Sequence, residues 1–350
     1  MHSRLAWDLL KFELLLLLGL RGLKHEGFSV AGSNYISAKE LKRLSELQAW
    51  RTGLAIAVDW SIIALAIALC EWSGSWWFYL PAVLVIAGRQ HALAVLLHDF
   101  GHYRFVASKR VSDWTADLFI AWPLLATLEG YRRNHLGHHR YLNTDKDPDW
   151  KIKIGSREFT FPQEMRFAVL NLLGYLVGVS TVRDFRKALI RMRADERSTP
   201  GYVALRIGFY IVVATVLTLT GLWGKFALYW LVPYATFFFM FLYIRSVADH
   251  FGSTMDYSHD LTSTRTVMPY FWEYWFFSPH NINFHIEHHL YASVPYYNLP
   301  ELSRILMANP EYAAKAHVTH GFVTGLWKEI VGAAARKGAR ATTGSVQPAE

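Results

Sequence analysis

Residues Gly53–Leu97 read GLAIAVDWSIIALAIALCEWSGSWWFYLPAVLVIAGRQHALAVLL: two long apolar runs joined by EWSGS. A helix crossing the hydrocarbon core of a bilayer needs about 20 mostly apolar residues, and both runs, about Gly53 to Glu71 and Trp76 to Leu97, are long enough. Asp59 lies in the first run and Arg89 in the second. If the runs are antiparallel helices, the depths of these two charges differ by only about 3 Å at 1.5 Å per residue. An unpaired charge at that depth is costly, so we expect an Asp59–Arg89 ion pair that locks the two runs together.

A second pair of runs, about Tyr202 to Leu222 and Phe226 to Val247, repeats the pattern around the short connection WGK. With 52% hydrophobic and 15% aromatic residues over 350 positions, the composition favours a polytopic membrane protein over two soluble domains. Leu118 to Leu128 and Ala168 to Val179 are apolar but too short to span, and are expected along the interface. Leu5 to Leu20 contains Asp8, Lys11 and Glu13 and has no small-residue cleavage site. It reads as an amphipathic interfacial helix, not a signal peptide. Ala333 to Glu350 reads as a disordered tail.

The basic residues predict an orientation. All of the 36 Lys and Arg except Arg89, Arg206 and Lys225 lie before the first run, between Phe100 and Pro200, or from Arg245 onward. Positive residues favour the cytoplasmic side, so the N-terminus, the middle segment and the C-terminal region are expected there; Arg206, near a span end, can snorkel. The net charge of +8 fits an anionic leaflet better than nucleic acid, because no soluble basic domain stands apart. The single cysteine, Cys70, rules out a disulfide framework or a thiolate metal site.

Half of the 16 histidines fall into three clusters: His98 and His102 in HDFGH, His135, His138 and His139 in HLGHH, and His285, His288 and His289 in HIEHH. On a helix, residues three or four apart share a face, so each cluster aims its imidazoles at one region. Imidazole suits iron, zinc, copper and nickel, and this many neutral nitrogens are enough for two divalent ions. Given the expected orientation, all three clusters fall on the cytoplasmic side. The fold expected is therefore an all-α integral membrane protein. Its four transmembrane helices form two hairpins under a helical cytoplasmic cap that carries the metal site. Residues 1–50 are expected as N-terminal interfacial and cytoplasmic helices, 51–310 as the membrane domain, and 311–350 as a C-terminal helix and tail.

Box two continues as HHRYLNTDKDPDW and box three lies within HNINFHIEHHLYASVPYYNLPEL. With these boxes on one face of a four-span protein, residues 50 to 310 resemble the membrane fatty acid desaturase and hydroxylase superfamily. Ala292 departs from the proline often found there in related bacterial sequences, a change in a turn and not in the chemistry. The resemblance implies two Fe(2+) ions, dioxygen as co-substrate and attack on an unactivated C–H bond of a fatty acyl chain. It also implies a ninth histidine ligand after the fourth span, here His250, beside Asp249 where Glu is common. His280 and Asn283 are weaker candidates around the metal. Asp99, Glu287 and Asp249 are expected around the ligand histidines, where a carboxylate accepts the second ring N–H, with loop structuring or, secondarily, direct ligation as the alternatives for Asp99 and Glu287. Asp147 and Asp149 are expected in that role or in shaping the loop, and Asp145 in ordinary turn chemistry. His91 is expected to make a packing or polar contact, and His2, His25, His259, His317 and His320 to lie at the surface.

The expected reaction is desaturation. Hydroxylation, carotenoid oxygenation and decarboxylation of a fatty acid to a terminal alkene use the same kind of scaffold and stay open. Box three lacks the NYxEHYG pattern of alkane monooxygenases. A zinc-dependent membrane hydrolase would carry HExxH where box one reads HDFGH, and a metal transporter would set ligands along a path within the spans. Trp122, Phe237, Phe238, Phe239, Tyr243 and Tyr270 would line an acyl tunnel or pack helices. No heme-binding region is read in the chain, so electrons are expected from a separate ferredoxin or cytochrome b5 type donor with its reductase. Such a donor would dock on the basic face, which includes Lys151 and Lys153. A bacterial inner membrane is the expected location.

Overall fold

The computed structural model describes residues 35–195 and 199–332, with the backbone alone at 188–195. The helix expected over Leu5–Leu20 and the tail from Ala333 lie outside the described residues. The helices that carry the spans and the site are α1 (Ala49–Ser73), α2 (Trp76–Gly101), α3 (Leu128–Tyr141), α4 (Pro200–Thr220), α5 (Trp223–His250), α6 (Phe271–Phe276), α7 (His285–Leu290) and α8 (Leu299–Met307). Among the described residues α1, α2, α4 and α5 are single helices long and apolar enough to cross a membrane.

The span ends follow local rules. Gly74 (φ +57°) closes α1 and Gly221 (φ +66°) closes α4, both in the left-handed region that any side chain would strain. Ser75 then caps α2 by accepting from the Trp77 N–H, and Thr199 caps α4, with Pro200 in its first turn. Trp72, Trp76, Trp77 and Trp223 stand exposed around these two turns, as an aromatic belt at a membrane boundary would. Glu71 joins the turns by pairing with Lys225 and accepting from the Tyr229 hydroxyl at 2.8 Å.

The second span forms the centre of the core. In its most apolar stretch 72% of residues are buried, against none in α4. Leu205, Ile211, Val212 and Leu219 of α4 are open to the surroundings, an apolar face suited to lipid. Across α1 and α2 the expected ion pair is present: Arg89 Nη1 lies 3.1 Å from Asp59 Oδ1, and both residues are buried.

Neither short apolar stretch forms a straight span. Leu118 to Leu128 begins as a widened helical turn over Asp117–Ala121 and breaks before α3, with Ile120, Trp122 and Leu124 buried and Phe119 exposed. Ala168 to Val179 falls at an 83° bend between Met165–Leu176 and Val179–Lys187. One feature departs from the all-helical expectation: β1 (Thr266–Met268) and β2 (Val318–His320) pair in parallel, with Val267 opposite Thr319. A second apolar cluster, including Leu44, Ile286, Leu302, Leu306 and Tyr312, packs behind α7 and holds it in place.

Candidate metal centre

Box one occupies the last turn of α2 and its C-cap, box two the end of α3, and box three α7. Thr127 caps α3, and Gly101 lets Tyr131 of α3 approach α2, since a Cβ there would lie 3.2 Å from the Tyr131 ring. The three boxes thereby converge. One nitrogen from each of His98, His102, His135, His139 and His288 falls within 4.8 Å of the others, and a second group gathers His138, His250 and His289 in the same way. His285 adjoins the second group, its Nε2 2.8 Å from that of His250 and 3.1 Å from that of His289.

Helix geometry explains why boxes two and three each divide between the groups. Neighbouring residues on a helix point about 100° apart. His138 therefore turns toward His250, at 3.1 Å, while His139 turns toward His135 and His288, at 3.1 and 3.0 Å. His288 and His289 diverge in the same way.

The donor set fits divalent metal. Nε2 contacts run from His102 to His135 (2.8 Å), His139 and His288, and from His138 to His250, His285 and His289. A neutral ring nitrogen holds one proton or one lone pair. Three successive contacts therefore cannot all be full hydrogen bonds, whereas a cation would use every lone pair at once. His98 is buried with neither ring nitrogen hydrogen-bonded. Burial, then Arg104 and Arg132, hold His102 down to about 3. Burial and neighbouring histidines hold His135, His139, His285, His288 and His289 well below the ordinary value, so these rings stay neutral at pH 7.

The carboxylates fall into distinct positions. Asp147, fully buried, accepts from His138 Nδ1 at 2.8 Å and from the backbone N–H groups of Asn143, Asp149 and Trp150. It fixes the His138 tautomer that leaves Nε2 free and closes the loop after α3 in the same act. Asp249 Oδ2 lies 3.7 Å from His285 Nδ1 and Asp99 Oδ1 lies 3.6 Å from His98 Nδ1, too far for the hydrogen bonds expected of them; Asp249 accepts from Arg245 and Asp99 from the Tyr296 N–H. Glu287 instead accepts from Thr266 and Ser303, both at 2.6 Å, so it ties α7 to β1 and α8. Asp145 is exposed, as a turn residue would be, and Asp149 pairs with Lys153.

His280 is placed against Asp59, its Nε2 2.7 Å from Oδ2, and belongs to neither histidine group. The Asn283 carbonyl accepts from Val267, and its side-chain Oδ1 is buried without a hydrogen bond. His91 Nδ1 meets the Phe276 carbonyl at 2.8 Å, the polar contact expected of it. His259 and His320 are exposed, His2 and His25 lie outside the described residues, and His317 is half-buried, its Nε2 3.2 Å from Thr254 Oγ1. Trp122, Phe238, Phe239 and Tyr243 are buried in the helical core, Phe237 is half-buried and Tyr270 is exposed.

Arg265 escaped sequence reasoning. Fully buried, it donates to the carbonyls of Val247 and Ala248 and pairs with Glu329 at 2.7 Å, capping α5 next to His250. Only the structure makes this visible, because the residue stands in a polar STRT run with no periodic signal.

Replacing Asp147 with Asn is expected to weaken metal retention by about 10- to 100-fold, the usual effect of losing a carboxylate behind a ligand histidine. Competition with a chelator measures it. Retention equal to wild type would remove Asp147 from this role.

Comparison with known proteins follows the same lines. Residues 74–321 match a family profile described as fatty acid desaturase. The dihydrorhizobitoxine desaturase of Bradyrhizobium elkanii is 29% identical over 79% of this chain and 81% of its own length. The sn-1 oleoyl-lipid 12-desaturase of Anabaena variabilis is 24% identical over 75% and 77%. A human sphingolipid delta(4)-desaturase/C4-monooxygenase is 26% identical over 68% and 67%.

Proposed function

The chain belongs to the fatty acid desaturase family and is an oxidoreductase, and on that premise we propose that it introduces a double bond into a fatty acyl chain at a di-iron centre held by nine histidines. The observation that carries this reading is the convergence of two largely buried groups of imidazoles from three separate helices and the end of α5. His98, His102, His135, His139 and His288 would hold one ion, and His138, His250, His285 and His289 the other. Bound there, two ferrous ions supply, with dioxygen and two external electrons, the oxidising power to remove hydrogen from an unactivated methylene.

The chain's own residues perform the remaining tasks. Asp147 orients His138 through Nδ1, so that Nε2 is the nitrogen turned toward the site. Burial of the histidines excludes water from the reacting region. The four spans form two hairpins in this reading, with the metal site, both termini and the basic middle segment on the cytoplasmic side, in a bacterial inner membrane. A separate donor would meet the basic face, where Lys151 is exposed and Lys153 is engaged by Asp149. One relative, from Synechocystis, is named as a ferredoxin-type sn-1 acyl-lipid omega-3 desaturase, which favours a ferredoxin as the donor.

Hydroxylation is the second reading, favoured by the human relative whose name joins desaturase and monooxygenase. Product analysis separates the two. Purified protein is expected to carry iron, to consume oxygen when given reductant and fatty acid, and to yield acyl products two mass units lighter. Products heavier by one oxygen would establish the hydroxylase, and zinc without oxygen uptake would overturn both.

A further inference from the structure

We propose that α6 and its flanks, residues 268–277, form a re-entrant element that dips into the bilayer beside α2 and meets lipid acyl chains with its outer aromatic face. This rests on the four long helices spanning a membrane, and it goes beyond the assignment of reaction and metal. The segment is apolar outward and charged inward. Met268, Tyr270, Phe271, Trp272 and Trp275 are exposed, Phe271 at 85%, while Glu273 is fully buried. In water such a face would be a costly contiguous apolar patch; against acyl chains it is matched to its surroundings.

Contacts with the second span fix the depth. Arg89 Nη2 donates to the Trp275 carbonyl at 2.5 Å, and His91 Nδ1 meets the Phe276 carbonyl at 2.8 Å. Gly88 permits this approach, because a Cβ there would lie 3.1 Å from the Phe276 ring. Arg89 precedes His98 by nine residues, roughly 13 Å along the helix. Trp275 and Phe276 therefore pack at the middle of a span, well away from the end that carries box one.

Backbone at such a depth is tolerated only where its polar groups find partners within the protein. Here they do. Glu273 accepts from the N–H groups of Tyr270 at 2.9 Å, Phe322 at 3.0 Å and Val323 at 2.8 Å. At the other end of α6, Arg89 and His91 meet two of the terminal carbonyls. The N-cap N–H and two terminal carbonyls of this six-residue helix thus meet side chains where water would otherwise be required. Pro279 and His280 then lead directly into box three, so a lipid-facing segment lies next in the chain to the metal ligands.

The test uses the full chain in phosphatidylcholine nanodiscs, with Cys70→Ala as background and one nitroxide label at a time. Labels at Phe271→Cys, at Leu65→Cys on the exposed face of α1 and at Arg304→Cys on α8 are compared for collision with oxygen and with a water-soluble nickel chelate. The expected result groups Phe271→Cys with Leu65→Cys, high for oxygen and low for nickel, and opposite to Arg304→Cys. Nickel access at Phe271→Cys equal to that at Arg304→Cys overturns the proposal, as does access to neither reagent, which would mean a protein cover. If Leu65→Cys itself reads as water-exposed, the spanning assignment fails and the proposal with it. None of these readouts depends on metal or turnover, so failure here is distinguishable from failure of the desaturase reading.

Discussion

A His138→Ala chain is expected to fold normally, to lose about one of two irons and to lose desaturation by at least about 100-fold, more than the loss of an outer carboxylate typically costs. The fold should survive because the side chain's structural partner does not depend on it. Asp147 keeps three backbone N–H bonds, from Asn143, Asp149 and Trp150, so the loop after α3 stays closed. The metal site has no such reserve: without His138, the second group retains His250 and His289, with His285 alongside. His139→Ala offers a contrast, because four histidines of the first group remain and a larger share of the iron should be kept. Both chains should lose turnover, since the proposed reaction draws on both ions. Iron per chain, measured beside folded yield and product formation, separates these outcomes. Two irons and normal turnover in His138→Ala would remove it from the metal site.

The division of the histidines between two groups shows where sequence reading stops. Spacing of three and four residues establishes that each box shares a helical face, and the three boxes do meet. Adjacent histidines such as His138 and His139 nevertheless diverge by about 100°, and which way each points depends on how α3 and α7 are rolled against α2. That roll is set by contacts distant in sequence, including Gly101 against Tyr131 and Ile286 in the cluster behind α7. The ion pair of Asp59 and Arg89 was legible because two charges in apolar runs at equal depth have few alternatives. The position of His280 was not, because its side chain reaches Asp59 across 221 residues of sequence from a backbone at φ +53°. The same holds for Arg265 and Glu329, 64 residues apart, and for the parallel pairing of β1 with β2.

The largest stability effect is expected at Asp59. Asp59→Asn keeps the size of the side chain and removes its charge, leaving Arg89 buried in the span with only the Trp275 carbonyl as a strong acceptor. Arginine cannot shed its proton, so the charge persists. Breaking one side of a buried pair typically costs about 3–5 kcal/mol, a large share of the stability of most proteins. The loss should also spread to box three, because His280 loses its carboxylate partner five residues before His285. Arg89→Ala should be milder at Asp59, where His280 can still donate, but it opens a cavity and frees the Trp275 carbonyl. A double variant, Asp59→Asn with Arg89→Gln, carries no buried charge and should recover most of the loss, since removing both ions avoids the desolvation that neither single variant escapes. Thermal unfolding midpoints in detergent, read with folded yield, test the set. An unchanged midpoint in Asp59→Asn would end the idea that this pair locks α1 to α2, and failure of the double variant to recover would locate the loss in packing and not in charge.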